Sequence, residues 1–109
     1  MANTFKLKTK ANVGVTTVGI YTAPAATTTV VIGITMANTS GSGVNVGVGI
    51  TRAGTTEDVK LLKNAPIPQG SSLEFMAGNK VVLEETDTVL VDSDTNNSVD
   101  ASLTIMEIT

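Results

Sequence analysis

Apolar side chains recur at every second position along much of this chain, in short runs that end in glycine, proline, asparagine or aspartate. From Asp58 to Ile108 turn residues punctuate every joint between such runs. A period of two sends alternate side chains to opposite faces of an extended backbone, so each run can bury one face and wet the other. No window carries the i, i+3, i+4, i+7 apolar spacing of an amphipathic helix. Fourteen Val and eighteen Thr among 109 residues push the same way, because β-branched side chains suit a pleated surface. With turn signals every roughly 8–12 residues, the chain is expected to form eight or nine short strands. That is an all-β fold: an antiparallel β-sandwich, immunoglobulin-like or jelly-roll-like.

The length suits one domain over residues 1–109, hiding roughly 60–70% of its unfolded surface. Residues 1–26 read as an attachment arm with the first strands, and 27–109 as the scaffold. The core must be aliphatic, since Phe5, Tyr21 and Phe75 are the only aromatics. Without Cys there is no disulfide framework or thiolate site. Without His the commonest general base and metal ligand are both missing. The first ten residues lack the apolar core of a signal peptide, and no apolar run approaches a membrane span. A cytoplasmic origin and no membrane partner are therefore expected. Net charge is −3, but residues 1–10 carry Lys6, Lys8 and Lys10 and no acid, so the rest of the chain sums to −6. An acidic body with few aromatics argues against nucleic acid as a partner.

Thr4–Lys10 is expected to be an edge strand, with Phe5, Leu7 and Thr9 inward and the three lysines outward. The lysines could alternatively form a basic arm that docks on an acidic neighbouring subunit. Asn12–Thr22 reads as one strand with a bulge near Thr16–Thr17. Thr27–Asn38 follows, with Val30, Ile32, Ile34 and Met36 as its inward set. In the run Val44–Thr51, Gly47 and Gly49 leave one face bare, either open to solvent or approached by another backbone or subunit. Asp58–Lys63 is a strand with Val59 and Leu61 inward, and residues 65–70 a stiff loop with Pro68 second and Gly70 fourth in a turn. Ala77–Asn79 is expected to join Ser72–Met76 and Lys80–Glu84 as a hairpin. Residues 88–91 and Val99–Ile108 complete the fold, with Val99, Ala101, Leu103 and Ile105 inward. Met36, Met76 and Met106 read as gap fillers, with Met106 on the opposite face and available for an oligomer contact.

One segment has the oxygen spacing of a calcium loop: Asp92, Asp94, Asn96 and Asp100. The match breaks at the sixth position, Asn97, and at the twelfth, Leu103, so an Asx-rich hairpin is the simpler reading. Glu84, Glu85 and Asp87 pair carboxylates as glycosidases do, but a sugar cleft usually needs aromatic platforms, and a solvated turn accounts for them. Ser71 and Ser72 have no His to activate them. Gly41-Ser-Gly43 does not open a helix and so is no phosphate cradle. No enzyme activity and no cofactor are expected.

Residues 62–91, running from the Pro66–Gly70 turn through Val81-Val-Leu-Glu84 into the next β-run, resemble small virion proteins of tailed bacteriophages, notably marine ones. The strands at 30–36 and 44–50 and the last strand extend the resemblance to about three quarters of the chain, from residue 27 to 108. It implies a non-enzymatic structural component of a virion, such as a capsid decoration or cement protein. Its partners would be other copies of itself, for instance in a trimer, and virion proteins such as the major capsid protein. The alternatives are a tail- or neck-associated protein, or an adhesion module reading a host surface glycan through loops 38–43, 52–56 and 92–97. The expected contacts are Lys6, Lys8, Lys10, Gly47, Gly49 and Met106.

Overall fold

A computed structural model describes residues 3–52, 58–75 and 80–109, the side chain of Phe75 excepted. Its strands are β1 (Asn3–Val13), β2 (Val18–Thr22), β3 (Thr28–Asn38), β4 (Val44–Thr51), β5 (Asp58–Ile67), β6 (Ser72–Phe75), β7 (Val81–Leu83), β8 (Thr88–Ser93) and β9 (Val99–Ile108). They form two antiparallel sheets. One runs β1-β9-β3-β6 with β7 also on β3; the other runs β2-β8-β4-β5. The sheets face each other over an aliphatic core that includes Val31, Ile34, Met36, Val46, Val48, Leu83, Val91, Leu103 and Ile105.

β6 and β7 both run antiparallel to β3 and lie end to end along it, at Ile34–Ala37 and Thr29–Val31 respectively. Taken as one interrupted strand they make eight. The strand order is then that of a jelly roll: the first strand beside the last, the second beside the last but one, and each sheet drawing from both halves of the chain. The immunoglobulin-like alternative orders its strands differently. The expected hairpin turn at Ala77–Asn79 lies outside the described residues, but the strands flanking it do not pair with each other.

Several local expectations change, each for a stated cause. The phase slip between Val15 and Val18 is a crossing from one sheet to the other, not a bulge within one strand. In β3 a bulge between Val31 and Gly33 shifts the register, so the buried set is Thr29, Val31, Ile34, Met36 and Asn38, with Val30 and Ile32 only half-buried. β5 continues through Pro66, which sits opposite Asn45; β5 is a sheet edge, where a missing N–H costs no ladder bond. The turn that follows falls one residue later than expected: Ser71 N donates to Pro68 O at 3.1 Å, and Gly70 stands third with φ 72°. A positive φ at that position defines a type II turn and favours glycine.

The largest change is in β1. Phe5 lies opposite Met106 and Leu7 opposite Thr104, while Lys6, Lys8 and Lys10 lie opposite the buried Ile105, Leu103 and Ala101. Cross-strand partners share a face. The lysines therefore stand on the core side of the sheet, and Phe5 and Leu7 stand outside, 68% and 64% exposed. β1 is the edge, so long lysine stems can follow the rim of the sandwich and keep their ammonium groups wet. A buried acid beneath them supplies the other reason.

Candidate functional site

That acid is Glu107, on the core side of β9 and 6% exposed. Lys6 Nζ lies 2.8 Å from Glu107 Oε1. Tyr21 Oη, from the opposite sheet, donates to Oε2 at 2.6 Å. Thr29 Oγ1 lies 2.8 Å from the same phenolic oxygen and completes the set. The Lys6 ammonium first, then the Tyr21 hydroxyl, hold the Glu107 carboxyl below its usual range. Burial, reinforced by the carboxylate, pushes the Tyr21 phenol up to about 12. The network ties β1, β9, β3 and β2 together and so acts as a clamp between the sheets. Of the three lysines, Lys6 thus has an intramolecular partner.

Among the described residues no three carboxylates group so as to hold a metal ion, and the four calcium candidates each have a partner of their own. Asp92 Oδ2 accepts from Thr17 Oγ1 at 3.1 Å, Asp94 Oδ1 from Asn45 N at 3.1 Å, Asn96 Oδ1 from Val15 N at 3.5 Å, and Asp100 Oδ1 from Asn12 N at 3.0 Å. Asn12 lies at the end of β1 and Val15 just beyond it, Thr17 just before β2 and Asn45 near the start of β4. Asn97 is left-handed, with φ 53°. Of the carboxylates at 84–87, Glu84 and Glu85 are exposed, as a solvated turn expects, and both still make contacts within the chain. Asp87 is buried, takes Arg52 Nε at 3.1 Å and accepts from Glu84 N, while Glu85 Oε2 accepts from Ala26 N at 2.7 Å.

Gly47 and Gly49 are buried within the protomer. A Cβ on Gly47 would come 2.5 Å from Asp92 Oδ1, and one on Gly49 would come 3.0 Å from Val59 O. The backbone that approaches these glycines belongs to the chain's own β5. Of the loops considered for a glycan, 38–43 reaches the residue that follows 92–97: Thr39 N donates to Ser98 O at 2.8 Å. Arg52 lies at the far end of β4, beside Glu84 and Asp87, and residues 53–57 are outside the described part.

What remains uncovered is the outer face of the five-stranded sheet. Phe5, Met106, Val30 and Val82 form one row straight across β1, β9, β3 and β7, fixed by consecutive register pairs. Phe5 and Val82 are 68% and 59% exposed at its ends. Leu7 and Ile108 flank the row. Sequence reasoning named Met106 here and missed the rest, because Phe5 and Val30 had been placed in the core.

No family model and no curated protein matches the sequence. Solved structures share the fold at low identity. One is a protein of Bacillus endospore appendages, a family of disulfide-linked pili, at TM-score 0.55 and 14% identity over 97% of this chain and 84% of that one. Another is from the acid-stable capsid of a Helicobacter pylori bacteriophage, at TM-score 0.58 and 10% identity over 100% and 89%. A third is from infectious bursal disease virus, at TM-score 0.57 and 14% identity, where this chain spans 96% of itself but only 32% of the viral one. At such identities the shared property is the fold. This chain has no cysteine, so it cannot form the disulfide links of the pilus protein.

Proposed function

We propose that this chain is a non-enzymatic structural component of a tailed-phage virion, a capsid decoration or cement protein that assembles through the faces of its sandwich. The observation that carries the reading is the exposed apolar row Phe5–Met106–Val30–Val82 on a sheet face that a lone soluble domain would keep polar. The jelly-roll strand order, the phage capsid protein among the structures of like fold, and the phage-like turn and strand motifs supply the context. The partners are further copies of the chain and other virion proteins, the major capsid protein among them. The N-terminal lysines Lys8 and Lys10, at the rim of β1, are available to an acidic neighbour.

The test is mass spectrometry and electron cryomicroscopy of particles made by the phage genome that encodes the chain. Stoichiometric copies forming ordered density on the capsid are expected. Absence of the chain from purified particles refutes the proposal. Density confined to the neck or tail moves the chain to the alternative structural class.

A further inference from the structure

We propose that the outer face of the five-stranded sheet docks on the same face of a second copy, about a two-fold axis parallel to the strands and passing between β9 and β3. The inference rests on the assembly reading above and names its contact. Three observations commit it to a second copy.

The first is area. Four strand positions at about 4.8 Å and a β3 length of about 36 Å give a face of about 700 Å² per copy, or about 1,400 Å² for a pair. That falls inside the range of stable specific interfaces, about 1,200–2,000 Å².

The second is self-complementarity. An axis along the strands exchanges β1 with β7 and β9 with β3. Phe5 then meets Val82 of the second copy and Met106 meets its Val30, so the apolar row lies wholly on itself. The row Thr9–Ser102–Thr35–Glu74 also meets itself, setting the Glu74 carboxylate against the Thr9 hydroxyl and Ser102 against Thr35. Asp100 meets Ala37. Glu74 and Asp100 are the only charged residues that the described register places on this face, and neither meets a like charge.

The third is that one competing contact, edge pairing through β1, is disfavoured. β1 is an open edge of eleven residues, but its core-side positions carry Lys6, Lys8 and Lys10. Inward-pointing charges are a recognised protection against edge-to-edge pairing, since an added strand would bury them. The face is open where the edge is guarded. An isologous face contact builds pairs, and so departs from the trimer that the phage resemblance suggested.

The experiment is sedimentation equilibrium of the full chain and three variants, with circular dichroism melts to show that each is folded. Phe5→Lys and Val82→Glu alter exposed side chains and leave the protomer's core untouched. The wild type is expected to sediment as a dimer, and each single variant as a folded monomer, with at least a tenfold weaker association. The double variant F5K/V82E is expected to recover the dimer at low salt. Within one protomer those positions are about three strand spacings apart, some ~14 Å, so they can meet only across the two-fold. A wild type that stays monomeric at high concentration overturns the inference, as does a dimer indifferent to both single variants, or a double variant that stays monomeric. None of these results alters whether the chain is found on particles, so the pairing and the virion reading fail separately.

Discussion

Removing the single hydroxyl of Tyr21 tests the inter-sheet clamp without disturbing its packing. Tyr21→Phe keeps the ring in the core and deletes the donor that lies 2.6 Å from Glu107 Oε2. It leaves that buried carboxylate oxygen without the hydroxyl, and Thr29 without its partner at 2.8 Å, while Lys6 still holds Oε1. A hydrogen bond to a charged group contributes about 1.5–3 kcal/mol net, so a loss of about 2 kcal/mol is expected. For a domain of this size that lowers Tm by about 8 °C. The loss should also depend on pH. Glu107 has its pKa depressed in the folded protein, by Lys6 first and Tyr21 second. Its contribution is therefore present above the unfolded value, about 4.3, and disappears as pH falls through the lower folded value. The assay is thermal and urea unfolding of wild type and variant, followed by circular dichroism, at neutral pH and at pH about 3. The deficit should be full at neutrality and shrink in acid. A variant that melts within about 2 °C of wild type at neutral pH, or a deficit undiminished in acid, would refute the reasoning.

Three further outcomes follow from particular contacts. Tyr21 is the only tyrosine and there is no tryptophan, so the tyrosinate absorbance of the folded protein should rise with a midpoint at about 12. Because the folded value is raised, stability is complete below the unfolded value of about 10 and lost as pH climbs through about 12; a folded-state midpoint near 10 contradicts the burial. Gly49→Ala puts a Cβ 3.0 Å from the backbone oxygen of Val59 and should cost about 1–3 kcal/mol in urea unfolding, whereas Gly41→Ala, with nothing within 4 Å, should be neutral. Calcium or a chelator should leave Tm unchanged, since Asp92, Asp94, Asn96 and Asp100 each fasten a different amide or hydroxyl; a calcium-dependent rise of several degrees would show that they converge after all.

Much of the architecture was legible in the residues. The last strand reads correctly because Val99, Ala101, Leu103 and Ile105 keep one phase with no bulge on the core side. β4 and its glycines were also visible as local signals. β3 was half legible: its limits follow from β-branched density, but the bulge beside Ile32 depends on how Thr104 and Ile105 of β9 align with it. Tyr21 and Glu107 gave no local sign of their bond, because 86 residues separate them. The outer apolar row was missed for the same reason, since its four members come from four strands.

By itself, the sequence determined that this chain makes strands, roughly where they begin and end, and that alternate residues must part to opposite faces. Backbone sterics and β-branched side chains act within a few residues, so that information is local. In β1, and in the first half of β3, only the tertiary structure decided which of the two faces is inside. In β1 alternation allows Phe5 and Leu7 to be buried, yet pairing with β9 and the demand of Glu107 for a cation turn the lysines to the core side and the apolar pair to the surface. A shift of one residue in register exchanges every side chain between core and solvent, and register is set by partners far away in the chain.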